Sequence, residues 1–152
     1  MSLQKAALWR RSFDPAYRAT LLGQRLSIFM KATSGRARVF EGSGGGALMD
    51  TFQRGLVGTM PGADLTWALV ALWKALNVGD WKRVDQISGP LANIISLEFS
   101  LDAYVAIEKH LLVKQGVFTN VLVREPVGYR LDALTKINVD RLFSVLRESV
   151  NN

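Results

Sequence analysis

The chain reads as an α/β protein that tends toward mostly α. Two observations predict this. A strand–helix–strand stretch punctuated by glycine occupies residues 36–62, and the order of its elements implies a parallel pair. Everything after it shows helical apolar spacing, with capping residues and glycines at the joints. With 152 residues, 49% of them hydrophobic and 21% charged, the chain has an ordinary globular composition and enough length for a real core.

Residues 1–35 form a basic leader. Ala16–Thr33 carries Leu21, Leu22, Leu26, Phe29 and Met30 at loosely helical spacing. An Arg-rich, acid-poor leader fits a mitochondrial transit peptide over residues 1–30, foreign sequence from a displaced start, or a damaged helix pair. A truncated or rearranged N-terminus is the expectation.

Arg38–Glu41 predicts a short strand that runs into the turn Gly42-Ser43-Gly44-Gly45-Gly46. Leu48, Met49 and Phe52 predict a short helix over Ala47–Arg54, stopped by Gly55. Leu56–Met60 reads as a second buried strand, closed by Pro61-Gly62. Asp64 is the predicted cap of a helix whose apolar face is Leu65, Ala68, Leu69, Leu72 and Leu76. Gly79-Asp80 ends it and caps the next, which carries Trp81, Val84 and Ile87. Pro90 bends or restarts that helix, and Leu91, Ile94 and Ile95 continue its face. Ser100 caps a third helix, with Leu101, Tyr104, Val105, Glu108 and Leu112 on one side and Gly116 past its end. Val117–Val127 is extended or irregular. Leu131–Arg147 is a final amphipathic helix bearing Leu131, Leu134, Leu142 and Leu146. The organisation predicted is a leader over 1–35, a βαβα unit over 36–77 and a helical region over 78–152.

Charge and composition exclude several function classes. Residues 1–38 hold Lys5, Arg10, Arg11, Arg18, Arg25, Lys31, Arg36 and Arg38 against only Asp14, while the rest of the chain is near neutral. A protein-wide nucleic-acid surface is therefore a poor reading. A basic leader is more often a solvated arm. There are no cysteines, so neither a disulfide framework nor a thiolate metal site is available. His110 is the single histidine, and with no ligand cluster around it no metal or other cofactor is expected. On a helix beside Lys109 it reads as a surface or interface residue. Trp9, Trp67, Trp73 and Trp81 read as core or interface packing. No apolar run is long enough to span a bilayer. A cytoplasmic location is expected, or a mitochondrial matrix one if the leader is a transit peptide.

Four pieces in order resemble one known family. Val39-Phe40-Glu41-Gly42-Ser43-Gly44-Gly45, followed by Leu48, Asp50, Arg54-Gly55 and Gly58-Thr59-Met60-Pro61-Gly62, is similar to strands seven and eight of the dihydrodipicolinate synthase/N-acetylneuraminate lyase family. The Gly79-Asp80-Trp81 turn resembles that family's Gly-Asp hinge after the eighth helix. Lys109 through Gly116-Val117, then Val123-Arg124-Glu125-Pro126, resembles its C-terminal tail. The match covers about Arg36 to Leu146. It implies the C-terminal portion of a (β/α)8 TIM barrel, about two parallel strands, plus C-terminal helices.

The resemblance also implies class I aldolase-type lyase chemistry. Family members bind pyruvate or a 2-oxo acid as a Schiff base on a lysine of strand six, a tyrosine of strand five moves the proton, and a Gly-x-x-Gly-Glu turn binds the carboxylate. The amine attacks the carbonyl and the imine serves as an electron sink, at the C-terminal strand ends of the barrel. No Gly-x-x-Gly-Glu turn and no such tyrosine strand occur in this sequence. Lys31, in Phe29-Met30-Lys31-Ala32-Thr33-Ser34-Gly35, is the one candidate for the Schiff-base lysine. Only seven residues separate it from Val39, whereas a crossover with its helix needs at least about 10–12. Ser27–Gly35 is accordingly read as the end of helix six, with Lys31 a solvated helix residue.

By the same analogy Gly42, Ser43 and Gly44 would meet a substrate carboxylate through backbone N–H groups, and Thr59 and Met60 would face the pocket from the end of strand eight. A plain strand-to-helix turn and barrel packing explain these residues equally well. The expectation is a C-terminal section of a pyruvate or 2-oxo-acid lyase, inactive alone. It would form a homo-oligomer or need a complementing N-terminal half. The alternative is a non-catalytic helical oligomerisation or interaction module.

Overall fold

The computed structural model describes residues 22–151, so the basic residues of the leader before Leu22, and Trp9, lie outside the described residues. The chain divides into two compact units, Met1–Met60 and Pro61–Asn152.

In the first unit, helix α1 (Leu22–Ala32) ends in a hydrogen-bonded cap. Ser34 takes the left-handed conformation (φ 54°). Its N–H donates to the Lys31 carbonyl at 3.2 Å, and the Gly35 N–H reaches back to the Met30 carbonyl at 2.9 Å. These two bonds satisfy carbonyls that the helix end would leave open. Strand β1 (Phe40–Glu41) follows, then the glycine turn, then the short helix α2 (Leu48–Phe52). Gly55, at φ 88°, reverses the chain where a Cβ would be strained. Strand β2 (Gly58–Thr59) pairs parallel with β1, with Phe40 opposite Gly58 and Glu41 opposite Thr59. The ladder extends at both ends, through Val57 N–H to Val39 O (3.0 Å) and Met60 N–H to Glu41 O (2.9 Å).

The second unit is helical: α3 (Thr66–Val78), α4 (Trp81–Ile95), α5 (Leu101–Lys114) and α6 (Ala133–Asn151). Its core joins Ala68, Leu69, Leu72 and Leu76 of α3 to Val84, Ile87, Leu91 and Ile94 of α4. Ala103, Ile107 and Leu111 of α5 and Val139, Leu142, Phe143 and Leu146 of α6 complete it. Burial of each Leu or Ile contributes about 1.5–3 kcal/mol. Trp67 meets Phe143 edge-on, ring centroids 5.8 Å apart. Arg83 of α4 donates to the carbonyls of Ser149 and Val150, so a cation sits where the dipole of α6 is negative.

The caps read from the sequence at Asp80 and Ser100 are present. Asp80 accepts from Arg83 N–H at 3.0 Å, and Ser100 from Ala103 N–H at 3.1 Å. Gly79 (φ 70°) and Gly116 (φ 75°) both follow helix ends. Residues 117–132 carry no helix or strand.

Four expectations need correction. Asp64 does not cap α3: Leu65 holds that position without a side-chain bond, and the Asp64 carboxylate is turned inward, 1% exposed. The face of α5 is not Leu101-Tyr104-Val105-Glu108-Leu112. Leu101 is 76% exposed, and the buried line runs through Ala103, Ile107 and Leu111 with Leu112 beside it, because small Ala103 permits closer approach. On α6 the buried face is Val139-Leu142-Phe143-Leu146, leaving Leu134 79% exposed. α4 is continuous through Pro90 rather than restarted there, and Trp81 at its start is exposed.

Candidate functional site

The glycine turn of the first unit is organised by a residue that the sequence reading passed over. Glu41 ends β1 with its side chain 3% exposed. Its carboxylate accepts from Ser43 N–H at 2.6 Å, from Gly45 N–H at 3.0 Å and from Thr59 Oγ1 at 2.5 Å. Such N–H groups of a turn form a concave anion nest, and here the chain's own carboxylate fills it. A buried carboxylate needs donors of this kind, since leaving it unpaired is costly. The only sequence signal for it was an acidic residue at the end of an apolar run, immediately before glycines.

The predicted site residues fall as follows. Ser43 gives its N–H to Glu41, and Thr59 gives its hydroxyl to the same group. Gly42 and Ser43 are exposed, and Gly44 is half-buried with φ 67° and open space where a Cβ would be. Met60 is 60% exposed, and its Sδ-methyl carbon lies 3.5 Å from the point where a Cβ on Gly42 would stand. The structure thus brings Gly42, Ser43, Thr59 and Met60 to one end of the two-stranded pair. Lys31 is not among them. It lies exposed in the last turn of α1, its carbonyl engaged in the helix cap.

The second unit holds two further features. A cleft of about 220 Å³ opens beside α5, walled by Val123 and Val127 and edged by His110, Tyr129, Arg130 and Lys136. His110 Nε2 and Lys114 Nζ each lie 2.9 Å from Asp140 Oδ1. Burial opposes ionisation of Asp140, but the bonds from Lys114 and His110 together outweigh it and hold the carboxyl below its ordinary value. Arg130 is paired to Glu125 at 2.7 Å. His110 is therefore a half-buried wall residue hydrogen-bonded to Asp140.

The second feature is a group of acids. Asp64, Glu98, Tyr104 and Glu108 face one another. Burial, then the neighbouring Glu108 charge, lifts Asp64 to about 6. Burial, then Asp64 and Glu108, lifts Glu98 to about 8. Among the described residues no group of three or more His, Cys, Asp or Glu is arranged to hold a metal ion, and no helix is long and apolar enough to cross a membrane.

No family model and no curated protein matches the chain. Among solved structures, dihydrodipicolinate synthase from Rhodopseudomonas palustris is similar over 82% of this chain, with a TM-score of 0.71 and 25% sequence identity. The chain spans 42% of that structure's length. Two parallel strands with trailing helices match part of its barrel and its C-terminal helices.

Proposed function

Since the chain carries part of the dihydrodipicolinate synthase fold, we propose that these residues supply the strand-seven to C-terminal-helix section of a Schiff-base lyase acting on pyruvate or another 2-oxo acid, and do not themselves carry the reactive amine. The shared fold over most of the chain supports this reading. Glu41, Gly42, Ser43, Thr59 and Met60 would then form one arc of the barrel mouth. Glu41 serves there as an internal brace that fixes the turn's N–H groups, which leaves carboxylate recognition to a turn of an N-terminal half.

A Schiff-base lysine is activated by desolvation or a neighbouring cation, whereas Lys31 is exposed at a helix end, and this exposure speaks for the reading. The strands support the complementation idea. Among the described residues β1 and β2 pair only with each other, so each keeps an open edge onto which further strands could add.

Reduction with borohydride in the presence of pyruvate, read by intact mass, tests the proposal. The chain alone should gain no adduct. Co-expression with a separate chain encoding the first six strands of the barrel should yield one, on the added half. An adduct mapped to Lys31 would overturn the reading.

A second reading, a helical oligomerisation module, draws on the apolar residues that the second unit exposes: Phe99, Leu101, Leu122, Leu134 and Ile137. Sedimentation separates the two. A monodisperse homo-oligomer that never forms an adduct, even with the complementing half, favours the module.

A further inference from the structure

The cleft beside α5 has a wall that is fixed before anything enters it. Residues 117–132 carry no helix or strand, yet side chains tie them down. Lys109 Nζ donates to the Leu122 carbonyl. Asn120 Oδ1 accepts from Leu122 N–H at 3.0 Å. The Glu125 carboxylate accepts from Val127 N–H at 2.9 Å and from Arg130 at 2.7 Å. The Tyr129 ring stands edge-on to Phe99, with centroids 5.5 Å apart. A concavity formed in advance loses less to ordering when a ligand arrives.

The lining is apolar on one side and basic on the other. Ala106, Val123, Val127 and Leu131 face the cleft, and all four are half-buried, so they offer surface that a ligand could still cover. His110, Arg130 and Lys136 also line it, and no carboxylate does. Two of these three are already engaged, His110 with Asp140 and Arg130 with Glu125. Lys136 takes part in no ion pair among the described residues. Asp132, one turn before it, gives its Oδ1 to Thr135 N–H at 2.7 Å. The Tyr129 hydroxyl likewise makes no hydrogen bond among the described residues. Two donors, an ammonium and a phenol, thus remain open at the edge of an apolar cleft.

We propose that this cleft binds a small free carboxylate bearing one apolar group, of the size of an arylalkanoate. The apolar group lies against the valines, and the carboxylate meets Lys136 and the Tyr129 hydroxyl. Size sets the class. A dry apolar cavity of about 150 Å³ holds a benzene ring, and the cleft, at about 220 Å³, has room for a ring and a short acidic arm. Charge sets the sign, since an amine would face three basic side chains. The site lies wholly within the helical unit and is independent of the lyase reading.

Calorimetric titration of the full chain with sodium 3-phenylpropanoate tests this. Phenylpropanol, phenylpropylammonium and acetate serve as comparisons at equal ionic strength. Saturable binding of the carboxylate in the millimolar range is expected, as for a ligand of so few atoms. The alcohol should bind several-fold more weakly, and acetate and the ammonium not measurably. Lys136→Gln, at an exposed position, should lower the carboxylate's affinity about fivefold and leave the alcohol's unchanged. Ala106→Leu keeps a good helix former in α5 and fills the cleft, so it should abolish binding of both. If circular dichroism shows that Ala106→Leu does not fold, Lys136→Gln decides the matter. No saturable binding, equal affinity for the ammonium, a folded Ala106→Leu that binds as the parent does, or unchanged carboxylate affinity in Lys136→Gln would overturn the proposal.

Discussion

Thr59 Oγ1 donates to the Glu41 carboxylate at 2.5 Å, joining the ends of two strands that are already opposite each other in the ladder. The same carboxylate gathers two N–H groups of the glycine turn. Glu41→Ala should therefore cost more than one surface bond, about 1–3 kcal/mol, because it strands buried donors. Thr59→Val removes one donor and should cost less, about 1 kcal/mol. Urea denaturation of both variants measures the order.

Gly62→Ala should destabilise the second unit by about 1–3 kcal/mol, as overpacking does. The added methyl would sit within van der Waals overlap of three oxygens. Combining it with Asp64→Ala removes the nearest of them, so the double variant should lose less than the two single losses added together. A double-mutant cycle by chemical denaturation reads the coupling.

Stability should fall as the pH rises from about 4 to 8. Asp64 is raised from 3.8 to about 6 and Glu98 from 4.5 to about 8 in the folded chain, so the folded state holds protons that the unfolded state has already released. Their contribution is complete below the unfolded values and is lost as the pH climbs through the folded ones. Melting temperatures across this range should slope downward. Glu98→Gln should flatten the upper part of the slope, and Asp64→Asn the lower part.

The helix faces make an opposed pair of expectations. Ile107→Ala and Phe143→Ala, both buried, should each cost about 2–5 kcal/mol. Leu101→Ser and Leu134→Ser, both exposed by more than three quarters, should stay within about 0.5 kcal/mol of the parent. Denaturant midpoints distinguish them directly.

Local chemistry made much of the fold legible in the sequence. Asp80 and Ser100 bond to N–H groups three residues on, and Gly79 and Gly116 take left-handed positions, so each signal lies within a few residues of its effect. The face of α3 was also readable, since Leu65, Leu69, Leu72 and Leu76 leave one choice of buried side. Where the large residues were divided between faces, as with Leu101 and Tyr104 against Ala103 and Ile107, size pointed to the wrong side. Asp64 has the residue type and position of a cap, and nothing nearby in sequence shows that Tyr104 and Glu108 lie across from it. Glu41 was missed partly for the same reason: of its three partners Thr59 is 18 residues away, while the nearby Ser43 and Gly45 bond through backbone N–H groups that residue type does not reveal.

Asp140 serves two donors at once, His110 and Lys114. A neutral residue at this single position would release both together. The imidazole would lose the anchor that fixes its orientation beside the valines, and the ammonium would be left to solvent. Acid acts in the same direction, since protonating Asp140 weakens both attachments in one event, and one wall of the cleft would then loosen as a unit.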